Sequence, residues 1–265
     1  MRRCVTVLLL SVALCVSVVG VAISGELDFR DDFERFDSER WSAGDHQLGR
    51  SYLDPQNVSV ANSNLRIKLP ARTLEGGEVY TNDLYGHGSY TARMKIPKAP
   101  GSITGFFMYK SPDYESELDI EIFNDSSRKI LFTTYAGGRQ TNTETMTLPF
   151  DPTAGYHEYR FDYHEDHVSF YVDGQLMRRW DSGHPDTAMH LMINAWHPTW
   201  LQGKKPPRDQ YLLVDYVDYQ QDLEPVSATE NLTATEGDQL RTSEPAPPGK
   251  AAKDDDSGKG GKKKR

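Results

Sequence analysis

The sequence predicts an all-β protein, a jelly-roll sandwich of two antiparallel sheets, and three observations carry that expectation. Short runs rich in Val, Ile, Phe and Tyr recur along the chain, punctuated by Gly, Pro, Asn and Asp. No long segment has the 3.6-residue apolar repeat of an amphipathic helix. Within several runs apolar and polar residues alternate, the period of a strand with one buried face. So many short strands within one domain's length are best accommodated as two packed sheets.

Taken in order, the expected strands cover residues 57–60, 65–69, 88–96, 103–109, 118–123, 130–135, 156–163, 168–172, 175–180, 190–196 and 212–219. Residues 65–69 alternate Leu65, Ile67 and Leu69 with Arg66 and Lys68, and residues 88–96 alternate Tyr90, Ala92 and Met94 with Thr91 and Arg93. Residues 168–172 and 175–180 flank Asp173-Gly174, a pair that tolerates the positive φ angles of a tight hairpin. In residues 190–196, Leu191, Ile193 and Ala195 would enter the core, leaving His190, Met192, Asn194 and Trp196 on the other face. A Trp and an Asn on an outward sheet face suit a sugar: the ring stacks on a pyranose while the amide bonds its hydroxyls.

The most informative stretch is Glu117-Leu118-Asp119-Ile120-Glu121, where three carboxylates alternate with aliphatic residues. Leu118, Ile120 and Ile122 belong to a core, so the acids share the opposite face, repelling one another at intervals of roughly 6.6 Å. Chemistry is one reason to accept that repulsion. A retaining glycosidase needs two carboxyls about 5–5.5 Å apart, one to attack the anomeric carbon and one to protonate the leaving oxygen. Two Glu side chains four residues apart can lean together to meet that need. Asp119 between them can share a proton and hold their pKa values apart. A solvated acidic strand or a calcium site would show the same letters, and the rest of the chain decides between these readings.

Both ends of the chain look separate from the fold. Residues 1–24 read as a secretory signal peptide, Arg2 and Arg3 preceding an apolar run, although that run is also near the length of a membrane anchor. The expected location is therefore secreted, periplasmic or at the cell envelope. Both cysteines, Cys4 and Cys15, fall within it, so residues 25–225 contain no disulfide and no thiol nucleophile. Residues 226–265 lose their aromatic residues to Ser, Thr, Pro, Gly and charge, the composition of a disordered polar tail. The chain carries a net charge of −9, and setting aside the basic leader and the slightly basic tail leaves residues 25–225 at about −12. That balance excludes nucleic acid as a partner and disfavours sulfated or carboxylated polymers; a neutral polysaccharide fits it. No stable membrane partner is expected, and a monomer is. Asn57-Val58-Ser59 and Asn124-Asp125-Ser126 fit glycosylation sequons, whose meaning depends on the host.

From Leu27 to Tyr219 the chain resembles glycoside hydrolase family 16, and within it the bacterial lichenases, β-1,3-1,4-glucanases. The resemblance is carried by Asn57-Val58, Gly77-Glu78, Tyr85-Gly86-His87-Gly88-Ser89-Tyr90, Phe106-Phe107-Met108-Tyr109 and the acidic strand. It continues through Tyr171-Val172-Asp173-Gly174, Asn194-Ala195-Trp196 and Val214-Asp215-Tyr216-Val217. It implies a concanavalin-like jelly roll with an open concave cleft, cleaving internal bonds of a β-glucan with retention and without a cofactor. On this chain Glu117 resembles the nucleophile, Glu121 the general acid/base and Asp119 the assisting carboxylate. Asn57, Glu78, Tyr135, Asn194, Trp196 and Trp200 resemble cleft-lining residues, and Asp215 resembles a ligand of a structural calcium. One residue, Ile120, separates Asp119 from Glu121, the unbulged form seen in lichenases. Two departures bear on specificity: Glu115 stands where lichenases place a Trp, and Tyr80 where they place an Arg. A non-catalytic glucan-binding module, a transglycosylase and an exopolysaccharide depolymerase of the same family are the alternatives left open.

Overall fold

In the computed structural model, residues 28–221 are described; the leader and tail expected from the sequence lie outside them. The strands begin with β1 (Phe29–Asp31), β2 (Trp41–Ala43), β3 (His46–Leu48), β4 (Ser51–Leu53), β5 (Val58–Val60) and β6 (Leu65–Leu69). Then come β7 (Gly77–Thr81), β8 (Gly88–Lys95), β9 (Ile103–Lys110), β10 (Ser116–Phe123), β11 (Lys129–Ala136) and β12 (Gln140–Thr147). The series ends with β13 (His157–Tyr163), β14 (Val168–Val172), β15 (Gln175–Trp180), β16 (His190–Trp196) and β17 (Gln210–Gln221). One sheet runs β15-β14-β13-β8-β17-β6-β5 with β1 on β17, and the other runs β12-β11-β10-β9-β16-β7-β2. Strands β3 and β4 form a separate hairpin. The two-sheet antiparallel jelly roll expected from the sequence is the observed fold.

Alternation explains why the sheets stack as they do. Leu118, Ile120 and Ile122 of β10 are fully buried, as are Phe106, Leu191 and Ile193 on the neighbouring strands. Their faces meet the first sheet, with Phe106 against Phe161 and Phe132 against Phe170, both at 5.0 Å between ring centroids. Aromatic pairs at that spacing add to the area they bury. The Asp173-Gly174 hairpin has positive φ at both residues, 48° and 75°, and joins β14 to β15 as the dipeptide implies.

The register of the second sheet fixes the opposite face row by row. Glu121 aligns with Gly105 on β9, which aligns with Asn194 on β16 and then Glu78 on β7. Asp119 aligns in the same way with Phe107, Met192 and Tyr80, and Glu117 with Tyr109 and His190. On the other side, Glu117 pairs with Tyr135, Asp119 with Thr133 and Glu121 with Leu131 of β11. A last row, Phe123, Ile103 and Trp196, closes the Glu121 end.

Candidate active site

Glu117, Asp119 and Glu121 therefore share one face of one strand, as the alternation requires, and each is at most 3% exposed. Burial holds the Asp119 carboxyl well above the usual carboxylate range, because ionising it would put charge where water cannot reach. In its protonated form that carboxyl can donate a hydrogen bond within the row instead of adding a third negative charge. The three carboxyls thus stand in one buried row, and burial favours the protonated form of the middle one.

Asn194 and Glu78 lie in the Glu121 row, held by hydrogen bonds that also draw in a residue the sequence did not single out. The Asn194 amide nitrogen donates to Glu78 Oε2 at 3.0 Å, and its oxygen accepts from the Gly105 N–H at 3.2 Å. Glu78 Oε1 lies 3.0 Å from His46 Nε2 on the β3–β4 hairpin. Glu78 is fully buried, so its carboxylate is committed to holding Asn194 and His46. A side chain on Gly105 would place its Cβ 2.7 Å from Asn194 Oδ1, so glycine is required for the amide to reach across the strand beside Glu121. An isolated glycine inside an apolar strand was the available signal for that close approach; His46, in a short polar hairpin, had none. Phe107, Tyr109 and Met192 pack together with Tyr80 as an apolar floor beside the acids.

The remaining expected residues divide. Tyr135 lies directly across from Glu117, its ring tilted against Tyr114 at 5.4 Å. Trp200 stands edge-on to Phe123 at 6.0 Å, at the Glu121 end of the face. Trp196 is on the expected face, but Gly49 of the hairpin covers its ring so closely that a Cβ there would come within 2.6 Å. It packs as a wall with Leu48, Leu53 and Ile103 and does not present an open stacking surface. Asn57 does not join the site. It ends a 3-10 turn, donates its amide to the Gly76 carbonyl at 2.9 Å and packs on the core side of Gly77. The Asp54-Pro55 turn start, a side-chain cap followed by proline, pulls Asn57 out of the strand the sequence implied.

Asp215 is in the other sheet, at a register shift in β17, and its carboxylate is ion-paired with Arg93. Among the described residues no group of three or more His, Cys, Asp or Glu side chains is placed to hold a metal ion. A carboxylate already neutralised by a guanidinium is a poor calcium ligand, so the residues around Asp215 do not fit the expected site.

Next to Trp196, His197 is fully buried, with Nδ1 3.3 Å from Ser51 Oγ. Burial, reinforced by the Arg50 charge, lowers its pKa to about 4. A histidine depressed from its ordinary value near 6.5 stabilises the fold fully above that pH. The contribution is lost as pH falls from about 6.5 to about 4, since unfolding then takes up a proton. We expect the urea midpoint to drop across that window and a His197→Asn variant to show a shallower drop. Parallel curves for the two proteins would remove His197 as the cause.

A model of the family described as glycosyl hydrolases family 16 matches residues 49–216. A β-glucanase of Bacillus subtilis (strain 168) is 30% identical over 72% of this chain and 85% of its own length. One from Acetivibrio thermocellus is 28% identical over 81% of this chain and 72% of its own. The structure of Bacillus licheniformis β-glucanase superposes with a TM-score of 0.68 at 26% identity, covering 74% of this chain and 98% of that one. With its jelly roll and its row of acids on one sheet face, the chain belongs to glycosyl hydrolase family 16 and is an enzyme that hydrolyses glycosidic bonds.

Proposed function

We propose that the protein is a secreted, endo-acting, retaining β-glucanase whose substrate is a mixed-linkage β-1,3-1,4-glucan. The observation that carries this reading is the placement of Glu117, Asp119 and Glu121 on one face of β10, beside Asn194 and the Phe107–Tyr109–Met192 floor. Within the three rows that hold the acids, β7, β16, β9, β10 and β11 present no lysine or arginine on that face. An anionic polymer would meet only like charge there, whereas the apolar face of a glucose ring meets aromatic and thioether carbon. The β-glucanase relatives support the choice of a glucan.

In this reading the ionised Glu117 attacks the anomeric carbon while Glu121, protonated, gives its proton to the departing glycosidic oxygen. The carbon–oxygen bond breaks, the new end of the glucan leaves as an alcohol, and a glycosyl ester of Glu117 remains. Glu121, now a carboxylate, takes a proton from water; the hydroxide equivalent displaces Glu117 from the same face that the leaving group occupied, giving net retention. Asp119, neutral, donates a hydrogen bond to a flanking carboxylate and so keeps the two glutamates from titrating together. Asn194, locked by Glu78 and Gly105, supplies a fixed amide beside Glu121.

The test is a panel of barley β-glucan, lichenan, laminarin, xyloglucan and a sulfated galactan, with product linkage analysed and the first-formed anomer read by NMR. Rapid shortening of the mixed-linkage glucans with a β-configured initial product supports the reading. Binding without shortening of any polymer would replace it with a glucan-binding module, and an α-configured initial product would remove the retaining mechanism. If added oligosaccharide acceptors are elongated, the protein is a transglycosylase.

A further inference from the structure

Strand β16 ends at Trp196 and β17 begins at Gln210, and residues 197–209 between them form no regular element. Trp200 sits in this stretch, where the Glu121 row gives way to Phe123, Ile103 and Trp196. Its indole N–H is buried with no acceptor among the described residues, a donor that a bound hydroxyl would satisfy. A long irregular loop keeps one shape only when groups outside it satisfy its main chain.

Arg50, at the turn of the β3–β4 hairpin, does this. Its Nε donates to the Pro198 carbonyl at 2.9 Å, and its Nη2 donates to Leu201 at 2.8 Å and to Gly101 at 3.1 Å. Nη1 reaches the Gly203 carbonyl at 3.5 Å, and the Arg50 backbone N–H donates to His197 at 2.9 Å. No carboxylate among the described residues pairs with this guanidinium. Its planar fork carries five donors at fixed angles, so one side chain ties the hairpin, the loop and the Gly101 turn together. The loop also lies so near that turn that a Cβ on Gly101 would fall 2.3 Å from Gly203 Cα. The Trp200 loop is therefore clamped from both sides of its own tryptophan.

We infer that Arg50 is a positioning residue that sets glucan affinity by holding Trp200 in place. It touches no reacting atom; it acts on how firmly a long chain is held, through Trp200, and leaves bond breaking to the acids. The inference rests on the reading of this face as a glucan site. Lysine is not equivalent, since an ammonium cannot span four carbonyls in three directions.

The experiment compares Arg50→Ala and Arg50→Lys, each with Trp200 and with Trp200→Ala. Calorimetric binding of a mixed-linkage glucan hexasaccharide is measured in a Glu117→Gln background, and kinetics in the active one. Expected are a roughly 5- to 20-fold loss of affinity for Arg50→Ala, a smaller loss for Arg50→Lys, and KM raised with kcat within about twofold. With Trp200→Ala already present, Arg50→Ala should cost no further affinity. Acrylamide quenching of the Trp200 emission, isolated by difference from Trp200→Phe, should rise in Arg50→Ala without any sugar present. Unchanged affinity and KM despite a lowered unfolding midpoint would overturn the inference, as would losses that simply add to those of Trp200→Ala. If Arg50→Ala does not fold, Arg50→Lys decides by the same readouts. A wild-type protein that binds glucan without cleaving it would end the hydrolase reading but leave the binding and quenching comparisons intact.

Discussion

Glu117→Ala should leave a folded protein whose turnover of β-glucan is reduced by about 10⁴-fold or more, since no other group can form the glycosyl ester. Stability should hold or rise. The substitution removes a carboxylate that is only 1% exposed, and with it the cost of holding a charge away from water. The informative step is rescue. Azide is small enough to enter the space left by the side chain and attack the anomeric carbon from the side that Glu117 had occupied. With Glu121 still able to protonate the leaving oxygen, one displacement replaces two, and the product is a glycosyl azide of inverted configuration. Chromatography and NMR of the product identify it. A folded variant that retains activity, or that neither azide nor formate rescues on an activated aryl glucoside, would deny Glu117 the role of nucleophile.

Glu121→Gln should separate substrates by their leaving groups. A glucan whose departing oxygen belongs to a sugar needs its proton, so kcat/KM should fall by about 10²- to 10⁴-fold. An aryl glucoside with an acidic phenol does not, and its first step should fall far less. The pH profile gives an independent sign. In the wild type the rate should fall at low pH as Glu117 gains a proton and at high pH as Glu121 loses one. The variant has no proton to lose at that position, so the alkaline limb should disappear while the acid limb stays. A variant that keeps both limbs would place the acid elsewhere in the face.

How much of this was legible from the sequence depended on whether a strand carried a dense or alternating set of apolar residues. Strands β6, β14, β15 and β16 coincide with the expected spans, and β8, β9, β10, β11 and β13 differ from them by a few terminal residues at most. Each has alternation, a turn dipeptide or a dense run of apolar and aromatic residues to mark it. Strand β12, Gln140-Thr141-Asn142-Thr143-Glu144-Thr145-Met146-Thr147, was invisible because it is the outermost strand of its sheet and no part of it is fully buried. Its sequence carries no apolar face to betray it. The three-residue strands β1 to β4 are too short for any period, and with β3 and β4 went the hairpin that carries His46 and Arg50. The acids of β10 were readable from spacing alone. Asn57 and Trp196 were misjudged because what surrounds them, a capped turn and a glycine laid over a ring, comes from segments without a pattern of their own.

Strand β10 also constrains how this enzyme could have changed over time. Its odd positions carry the three acids and its even positions Leu118, Ile120 and Ile122, with partners fixed on β9 and β11. Inserting or deleting a single residue there would exchange the two sets, driving carboxyl groups into oil and aliphatic carbon into the sugar's path. Loops at the rim can drift, lengthen and select new glycans one substitution at a time. This strand has no such freedom, because solvent exclusion on one side and reactivity on the other are written into a single two-residue metre.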